Sequence, residues 1–496
     1  MPRTDVLQPR RPETENIMPK SLGFTVFKPA GNDTGLFPGI IREGALRKRI
    51  GDNLQRIYPN VEQVGFVNLD PKNAELMMAG GEFCGNATRS TAYQVLKGQP
   101  GEIQIKVSGV KSKLRAGVTS DGEAFSQMPI YSEISRLKPD SEKPGNFTVE
   151  MEGMTHYVDF DASQIKGLTE DQIKTKARAE MAKRGIDQGQ ACGIIYSEKV
   201  GENWVIHPVV YVRDADTLYY ETACGSGTTA LGLTLALKEG KSIKEVPIIQ
   251  PSGMPIKFSV DYNGRKFGYA QIQGPIERLS EGTLETTKGI SYAVEQIATP
   301  DQLNNALATR GLREAYRDAF GRPPYNEQFS NEEIDEMFAD YYRDGHVFVA
   351  VDKGDIIAFS ATQPITSVPE IGDILAGQEG ISPESWYIPD LGIRQVYEGK
   401  WIAKNLMQKA IDAIPSDSIT LRTTVSNTRS QGLYTSLGFR IVPDLFQEIE
   451  QPRTDGQVET DKRLFMVLNR ESSDSQEPRN PIFRRLRSVF RHQQTS

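Results

Sequence analysis

The chain has 496 residues, of which 38% are hydrophobic, and a formal net charge of −7 at pH 7. That length allows two or three domains, and the acidic balance gives no reason to expect nucleic-acid binding. No apolar run approaches the ~18 residues of a membrane span, and the polar first twenty residues lack the core of a signal peptide, so the sequence predicts a soluble, cytoplasmic protein.

Cysteine and histidine are scarce in this chain. Three cysteines in 496 residues do not make a disulfide framework, and the four histidines are scattered without metal-ligand spacing. We therefore expect free thiols, a reducing compartment and no structural metal.

The first predicted strand follows a polar N-terminal stretch. Residues 1–20 are expected to be a flexible leader, and the alternating segment Phe24–Phe27 is expected to be a strand that breaks at Gly31-Asn32-Asp33. Such a loop is by default a turn. Because it follows a strand directly, Asn32 is also a candidate for an amide that orients a ligand.

A helix over residues 43–57 and a strand over residues 61–67 are predicted next. The strand carries Glu62 among apolar neighbours. An acid in this setting is either on the solvated face of an edge strand or paired with a cation, which could be a substrate.

Two segments, residues 80–88 and 220–228, repeat one pattern. Each has a Cys-Gly pair and a threonine four residues beyond the cysteine, at the front of a stretch of small and apolar residues. We predict a helix from each, to Leu96 in the first and to about Gly240 in the second. A strand and a Ser-Gly turn follow both, at residues 103–109 and 246–253, which indicates two copies of one α/β unit.

The two cysteines, Cys84 and Cys224, would start these helices. Free backbone N–H groups and the helix dipole favour negative charge there, so we expect the pKa of each thiol to be lowered. If the halves pack about a pseudo-twofold axis, the thiols face each other across a cleft. One thiolate would then remove an α-hydrogen while the opposite thiol donates a proton, which inverts a stereocentre without a redox cofactor.

Boundaries follow from clusters of Pro, Gly, Ser and charged residues. We expect one half over residues 21–145, a linker near residues 140–146, a second half over residues 146–282 and a domain boundary at residues 282–288. The remaining cysteine, Cys192, precedes a strand and lacks the helix-start pattern. A buried small hydrophobe is favoured there over a catalytic thiol.

A separate α+β domain is predicted over residues 290–470. Within it a strand at residues 387–393, a turn at Gly399-Lys400 and a helix start form an arrangement that holds anions on backbone amides. Residues 471–496 read as an acidic linker and an Arg-rich amphipathic tail. Disorder or packing against the acidic body is favoured over contact with a membrane or a partner.

Residues 21–282 resemble the diaminopimelate-epimerase-like superfamily of cofactor-independent racemases. The resemblance rests on Gly31-Asn32-Asp33, Cys84-Gly85-Asn86-Ala87 and Cys224-Gly225-Ser226-Gly227. Within the superfamily, residues 62–66, 81–88, 106–109 and 250–253 are most similar to the staphylopine-type histidine racemases of metallophore biosynthesis. The two motifs of diaminopimelate epimerase that hold its substrate are replaced by Thr217-Leu218-Tyr219-Tyr220 and Gly189-Gln190-Ala191-Cys192, which disfavours diaminopimelate.

This resemblance implies a fold and a set of site residues. The fold would be α/β (α+β), with two pseudo-symmetric halves and the active site between them. Cys84 and Cys224 would be the two acid/base thiols of a PLP-independent amino-acid racemase, and Glu62 would meet the imidazole of histidine. The remaining substrate-binding residues would be Asn32 in the pocket and the amides that hold the α-carboxylate, at Gly85, Asn86, Gly225 and Ser226.

Residues 290–470 resemble the GNAT-type acetyltransferases. The similarity lies in residues 390–393, the turn at residues 398–403, Asn427 and residues 434–439. It implies acetyl-CoA bound along Leu391 and Ile393, with its pyrophosphate at Gly399, Lys400 and Ala403, and with Tyr434 near its sulfur. The chain departs from the family pattern at two positions, where Glu398 stands for a basic or amide residue and Trp401 for a glycine.

The sequence thus favours a bifunctional enzyme, an amino-acid racemase fused to an acetyltransferase that uses acetyl-CoA. It leaves a homodimer open. A second interpretation is an isomerase for another small substrate, hydroxyproline-like or diaminopimelate-like, in which Glu62→Gln would leave the substrate preference unchanged. A third is a redox-controlled ligand-binding protein with a degenerate acetyltransferase domain, which would function in its oxidised form.

Overall fold

The structure, a computed structural model, describes residues 19–214, 216–287 and 289–470. The chain divides into two compact units: Met1–Glu295 with Val351–Asp355, and Gln296–Ala350 with Ile356–Ser496. Most of the predicted leader, residues 1–18, and the predicted tail, residues 471–496, lie outside the described residues.

The first unit has a mixed α/β architecture, as predicted. Its helices are α1 (Gly44–Ile57), α2 (Gly85–Val95), α3 (Glu170–Lys183) and α4 (Gly225–Glu239). Its strands are β1 (Ser21–Pro29), β2 (Asp33–Pro38), β3 (Val61–Asn68), β4 (Glu75–Met78), β5 (Gly101–Val107), β6 (Leu114–Val118), β7 (Ala124–Gln127), β8 (Leu137–Pro139), β9 (Phe147–Met151), β10 (Met154–Asp159), β11 (Ala191–Val200), β12 (Asn203–Val212), β13 (Thr217–Tyr220), β14 (Ile243–Ile249), β15 (Pro255–Tyr262), β16 (Phe267–Gly274), β17 (Ile276–Thr287) and β18 (Ile290–Gln296).

The duplicated pattern is visible in the order of elements. Helix α2 is followed by the antiparallel pair β5 and β6, and α4 is followed by the antiparallel pair β14 and β15. Both helices are buried along most of their length because their residues are small or apolar. Helix α4 ends at Gly240, whose left-handed conformation closes the last turn at little cost for a glycine.

Strand pairing links the two halves at two places. Strand β7 of the first half pairs antiparallel with β16 of the second, and β17 returns to pair antiparallel with β1. The described residues of the predicted boundary, up to Thr287, continue β17 rather than form a loop. Backbone pairing with β1 on one edge and with β18 on the other outweighs the local Gly and Thr content. The predicted linker at residues 140–146 is the turn of the hairpin formed by β8 and β9.

The second unit has the predicted α+β content. Its helices are α5 (Pro300–Ala308), α6 (Leu312–Phe320), α7 (Asn331–Asp344), α8 (Pro369–Leu375), α9 (Ile402–Ala413) and α10 (Thr428–Thr435). Its strands are β19 (His346–Asp352), which ends in the Val351–Asp355 segment of the first unit, β20 (Asp355–Pro364), β21 (Trp386–Ile388), β22 (Leu391–Ile393), β23 (Ser418–Thr424), β24 (Arg440–Pro452) and β25 (Val458–Asn469).

Strand β23 is central in the second unit. It pairs parallel with β21 and antiparallel with β25, which in turn forms a long hairpin with β24. The sequence did not predict β24, and it predicted only residues 463–467 of β25. Both strands carry mostly exposed and polar side chains at their outer ends, so the alternation that marks a half-buried strand is weak.

Within the described ranges, no helix combines the length and the apolar character needed to cross a membrane.

Replacement of Gly232 by alanine should destabilise the first unit. A Cβ at this position in α4 would lie 2.0 Å from a ring carbon of the buried Phe258. Such overpacking costs about 1–3 kcal/mol and exceeds the helix-propensity gain of alanine. Calorimetric unfolding should show a lowered transition for G232A. The matched helical control is Gly432→Ala in α10, whose Cβ meets open space and which should be neutral or slightly stabilising. A G232A transition at the wild-type temperature would contradict this packing.

Candidate active site

The two cysteines occupy equivalent positions at helix starts. Cys84 is the N-cap of α2, and its sulfur accepts a hydrogen bond from the amide of Ala87 at 3.4 Å. Cys224 is the N-cap of α4, and its sulfur accepts from the amide of Gly227 at 3.2 Å. Both caps have extended backbone dihedrals, which is the geometry that lets a side chain reach the free amides of the first turn.

The two helix starts converge on each other. A Cβ on Gly85 would lie 2.9 Å from Cδ1 of Ile272, and a Cβ on Gly225 would lie 2.6 Å from the same atom. Asn86 donates its side-chain amide to the carbonyl of Ala223 at 2.9 Å. A side chain at either position would push against Ile272, which gives a steric reason for the glycine that follows each cysteine.

A small cavity lies where the helix starts meet. Of the predicted substrate and catalytic residues, the structure brings together here Asn32, Cys84, Gly85, Asn86, Cys224, Gly225 and Ser226. Further lining residues that the sequence did not predict include Gln63, Glu82, Met154 and Glu221. The cavity is therefore polar, and it contains both thiols and two carboxylates.

Glu62 stands behind this cavity rather than in its lining. It accepts a hydrogen bond from the Asn32 side chain at 2.6 Å, and it also accepts from the hydroxyl and the amide of Thr222. Burial raises its pKa to about 7. The structure thus places Glu62 and Asn32 in direct contact, and only the amide of this pair reaches the cavity wall.

Glu82 and Glu221 are the acids that line the cavity. Each has 6% of its surface exposed, and burial raises their pKa values to about 7 and about 8. Glu221 accepts from Gln63 at 3.1 Å, whereas Oε2 of Glu82 has no hydrogen-bond partner among the described residues. A buried acid without a donor is costly, and a ligand with N–H groups would satisfy it.

The prediction that the helix starts lower the thiol pKa values is wrong for the structure as it stands. Burial raises the pKa of Cys84 to about 12 and that of Cys224 well above its usual value. The amides of Ala87 and Gly227 do favour the thiolates, but they are outweighed by lost hydration and by the nearby carboxylate of Glu221.

His156, which is not among the predicted site residues, lies beside Cys224. Nε2 of His156 is 2.9 Å from the hydroxyl of Ser226, which is 3.4 Å from the Cys224 sulfur. His156 is fully buried, and burial lowers its pKa to about 4, so it is neutral near pH 7. The predicted substrate residue Ser226 therefore connects the thiol to an imidazole.

Arg89 and Cys192 complete the surroundings of the thiols. Arg89 is fully buried and donates to the side-chain oxygen of Asn86 at 2.9 Å, and its charge lies near enough to Cys84 to interact with that thiol. Cys192 packs in a separate core cluster with Tyr157 and Ile194 and does not line the cavity. That agrees with its interpretation as a buried hydrophobe.

The second unit contains a larger cavity at the predicted cofactor site. Five of the predicted residues line it: Leu391, Ile393, Gly399, Ala403 and Asn427. Lys400 and Tyr434 are not in its lining; Lys400 stacks on Tyr397, and Tyr434 lines an adjacent cavity.

The two departures from the GNAT pattern are compatible with a bound pyrophosphate. Glu398 forms ion pairs with Arg322 and Arg429, which hold its pKa below its usual value although burial opposes this. Trp401 has a left-handed backbone (φ 68°), as a glycine would, and 57% of its surface is exposed. Lys404 also lines the cavity. The lining therefore carries three cations, Arg322, Arg429 and Lys404, and the carboxylate of Glu398.

In the described ranges, no group of three or more His, Cys, Asp or Glu side chains is arranged to hold a metal ion.

One family model matches more than half of the chain. The family model described as the histidine racemase CntK N-terminal domain matches residues 24–284. The chain belongs to this family. The acetyltransferase (GNAT) family model matches residues 309–439. The histidine racemase-like domain thus includes both cysteine motifs, and a GNAT acetyltransferase domain follows it.

Relatives of the racemase-like domain are found among curated proteins. A histidine racemase of Fusobacterium nucleatum is 29% identical over 272 residues, which cover 53% of this chain and 96% of that protein. A histidine racemase of Staphylococcus aureus is 24% identical over 274 residues, with 52% and 96% covered.

Solved structures align with each domain separately. A phenazine biosynthesis protein of the PhzF family from Enterococcus faecalis covers 54% of this chain and 100% of its own, at 13% identity and a TM-score of 0.38. A ribosomal-protein-alanine N-acetyltransferase from Brucella melitensis covers 36% and 99%, at 18% identity and a TM-score of 0.26.

Replacement of Glu221 by glutamine should stabilise the racemase-like domain at high pH only. The pKa of Glu221 is raised from 4.5 to about 8 on folding, so the wild type loses stability as pH rises from about 4.5 through 8. The neutral amide avoids that loss. The melting temperature of E221Q should therefore match the wild type near pH 4.5 and exceed it at pH 8.5. Glu202→Gln, at an exposed turn, is the control. A difference that does not change with pH would contradict the buried carboxylate.

Proposed function

We propose that the first domain is a two-base, cofactor-independent histidine racemase in which Cys84 and Cys224 exchange protons with the α-carbon. The observation that carries this proposal is that both thiols stand at helix starts that open into one cavity. The named activity of the relatives supports histidine as the substrate.

The site residues suggest how the substrate is held. Amides at Gly85, Asn86, Gly225 and Ser226 would bind the α-carboxylate, because the first turn of each helix leaves these donors free. The unpartnered oxygen of Glu82 and the carboxylate of Glu221 would accept from the ammonium and imidazole N–H groups. Glu62 would act through Asn32, whose orientation it fixes.

The raised pKa values suggest an order for the proton transfers. Glu221, with its pKa near 8, is a stronger base than an ordinary carboxylate and takes the proton of Cys224. The Cys224 thiolate then removes the α-hydrogen from one face, and the Cys84 thiol gives its proton to the other. The reverse reaction exchanges the two roles. Water exclusion and preorganised amides supply the remaining stabilisation of the carbanion-like transition state.

The wider context is proposed from the resemblance alone. A role in metallophore biosynthesis, a cytoplasmic location and a homodimer stay predictions, as do the domain limits at residues 145 and 282. A free amino acid is the partner that we propose for the site.

Alanine in place of either catalytic thiol should abolish racemisation. General acid–base groups contribute about 10²–10⁴-fold, so C84A and C224A should each lose at least that factor. The assay is solvent-deuterium incorporation at the α-carbon of D- and L-histidine, together with optical rotation. Cys192→Ala is the matched control and should keep the wild-type rate. Racemisation that survives in both single variants would refute a two-thiol mechanism.

We also propose that the second domain binds acetyl-CoA in its large cavity. The backbone of Leu391 and Ile393 would bind the pantetheine arm, and the amides from Gly399 to Ala403 would bind the pyrophosphate, with Arg322, Arg429 and Lys404 adding positive charge. Lys400 and Tyr434 would contribute from outside the cavity lining, and the Tyr434 hydroxyl would stay protonated near the sulfur because burial raises its pKa. Bound there, acetyl-CoA supplies the acyl group.

Two substitutions at one ion pair should change acetyl-CoA affinity in opposite directions. Arg429→Gln removes a cation beside the phosphates and should raise the Kd about 10-fold, whereas Glu398→Gln frees both arginines and should lower it. Isothermal titration calorimetry on the full chain would measure both. Arg440→Gln, exposed on β24, is the control. Equal affinities for all variants would place the phosphates elsewhere.

A further inference from the structure

A second cavity in the acetyltransferase domain adjoins the proposed acetyl-CoA site. It shares Phe320, Tyr325 and Leu391 with that site. A molecule in this cavity could therefore reach a thioester placed along β22. We call it the acceptor cavity.

One group of its lining side chains is acidic. Asp390 is partly buried, and one of its oxygens accepts from Tyr341 at 2.7 Å and from Tyr316 at 3.2 Å. Glu327 accepts from Arg463 at 2.7 Å, and burial raises its pKa to about 7. These carboxylates suit an ammonium group, and Glu327 can take its proton near neutral pH.

Another group is built for an anion. Arg422 hydrogen bonds the side-chain oxygen of Gln447, and in the described part of the chain it forms no ion pair. The Tyr387 hydroxyl has no hydrogen-bond partner there either, although this residue is only 2% exposed. Arg422, Tyr387 and Asp390 all line this cavity. A guanidinium without an ion-pair partner and a buried hydroxyl without a hydrogen-bond partner would both be satisfied by the carboxylate of a ligand.

We propose that the acceptor cavity binds a small amino-carboxylate, a free amino acid or a close derivative, with its carboxylate on Arg422 and Tyr387 and its amine towards Glu327. A peptide N-terminus has an amine but no carboxylate on the same α-carbon, so a cavity that offers both a cation and a base favours the free amino acid. This inference rests on the proposed acetyltransferase function.

The transfer step balances with these groups. The acceptor ammonium gives one proton to Glu327, and its nitrogen then forms a bond to the acetyl carbonyl carbon. The carbon–sulfur bond breaks, its electron pair leaves with the sulfur, and a second proton from the nitrogen ends on that sulfur. The products are an N-acetyl amino acid and the free thiol of CoA.

The test compares acceptors that differ only in the carboxylate. Full-length protein and acetyl-CoA are incubated with free amino acids, including D- and L-histidine, with their carboxamides and with an N-terminally free peptide, and acetylated products are quantified by mass spectrometry. The wild type should prefer the free acid over its amide at least 10-fold in kcat/KM. Arg422→Gln should raise KM for the acid about 10- to 100-fold, leave the amide unchanged and so abolish the preference.

Controls separate this inference from the proposed function. Arg440→Gln should keep the wild-type preference, and unchanged acetyl-CoA binding by R422Q would show that the variant is folded. If R422Q fails to fold, Arg422→Lys keeps the charge and should reduce the preference without removing it. Acetyl-CoA binding together with equal or better use of amides or peptide would overturn the inference alone. Failure of the wild type to bind acetyl-CoA would overturn both.

Discussion

The close approach of two helix N-termini is the constraint on which the racemase-like domain depends. Gly85 and Gly225 both pack against Ile272, and Asn86 spans from one helix to the residue before Cys224. Ile272 belongs to β16, the strand that pairs with β7 and so links the two halves. Ile272, which lies between the two helix starts, thus belongs to the strand pairing that joins the halves. The positions of the two sulfurs are therefore fixed by packing rather than by a flexible loop.

Burial and helix-start donors act in opposite directions on the thiols. The donors favour thiolates, but the surrounding protein excludes enough water to keep both cysteines protonated before a ligand binds. Inert thiols resist alkylation and oxidation, because the thiolate is the reactive form. The buried acids near them have raised pKa values for the same reason. The free acids are therefore also held in their neutral form until a ligand with N–H groups approaches them.

The local part of this architecture could be predicted from sequence, and the long-range part could not. The helix starts at Cys84 and Cys224 followed from spacing, and strands such as β3 and β5 were found within two residues of their ends. Glu82 and Glu221 lie two and three residues before the cysteines, and this spacing is the sequence signal that indicates them as candidate site residues. His156 had none, since it meets Ser226 across 70 residues. The depth of burial, which reverses the expected thiol pKa shift, exists only after packing.

The pairing of β1 with β17 sets an order of events on the ribosome. Ser21 bonds to Glu285 across 264 residues, so the first strand emerges long before the strand that covers its edge has been made. Loop closure over such a separation is slow, and unpaired edges attract other chains meanwhile. In a nascent racemase-like domain this edge of β1 therefore stays unpaired until nearly the whole segment is translated, while the acetyltransferase domain behind it closes over shorter distances.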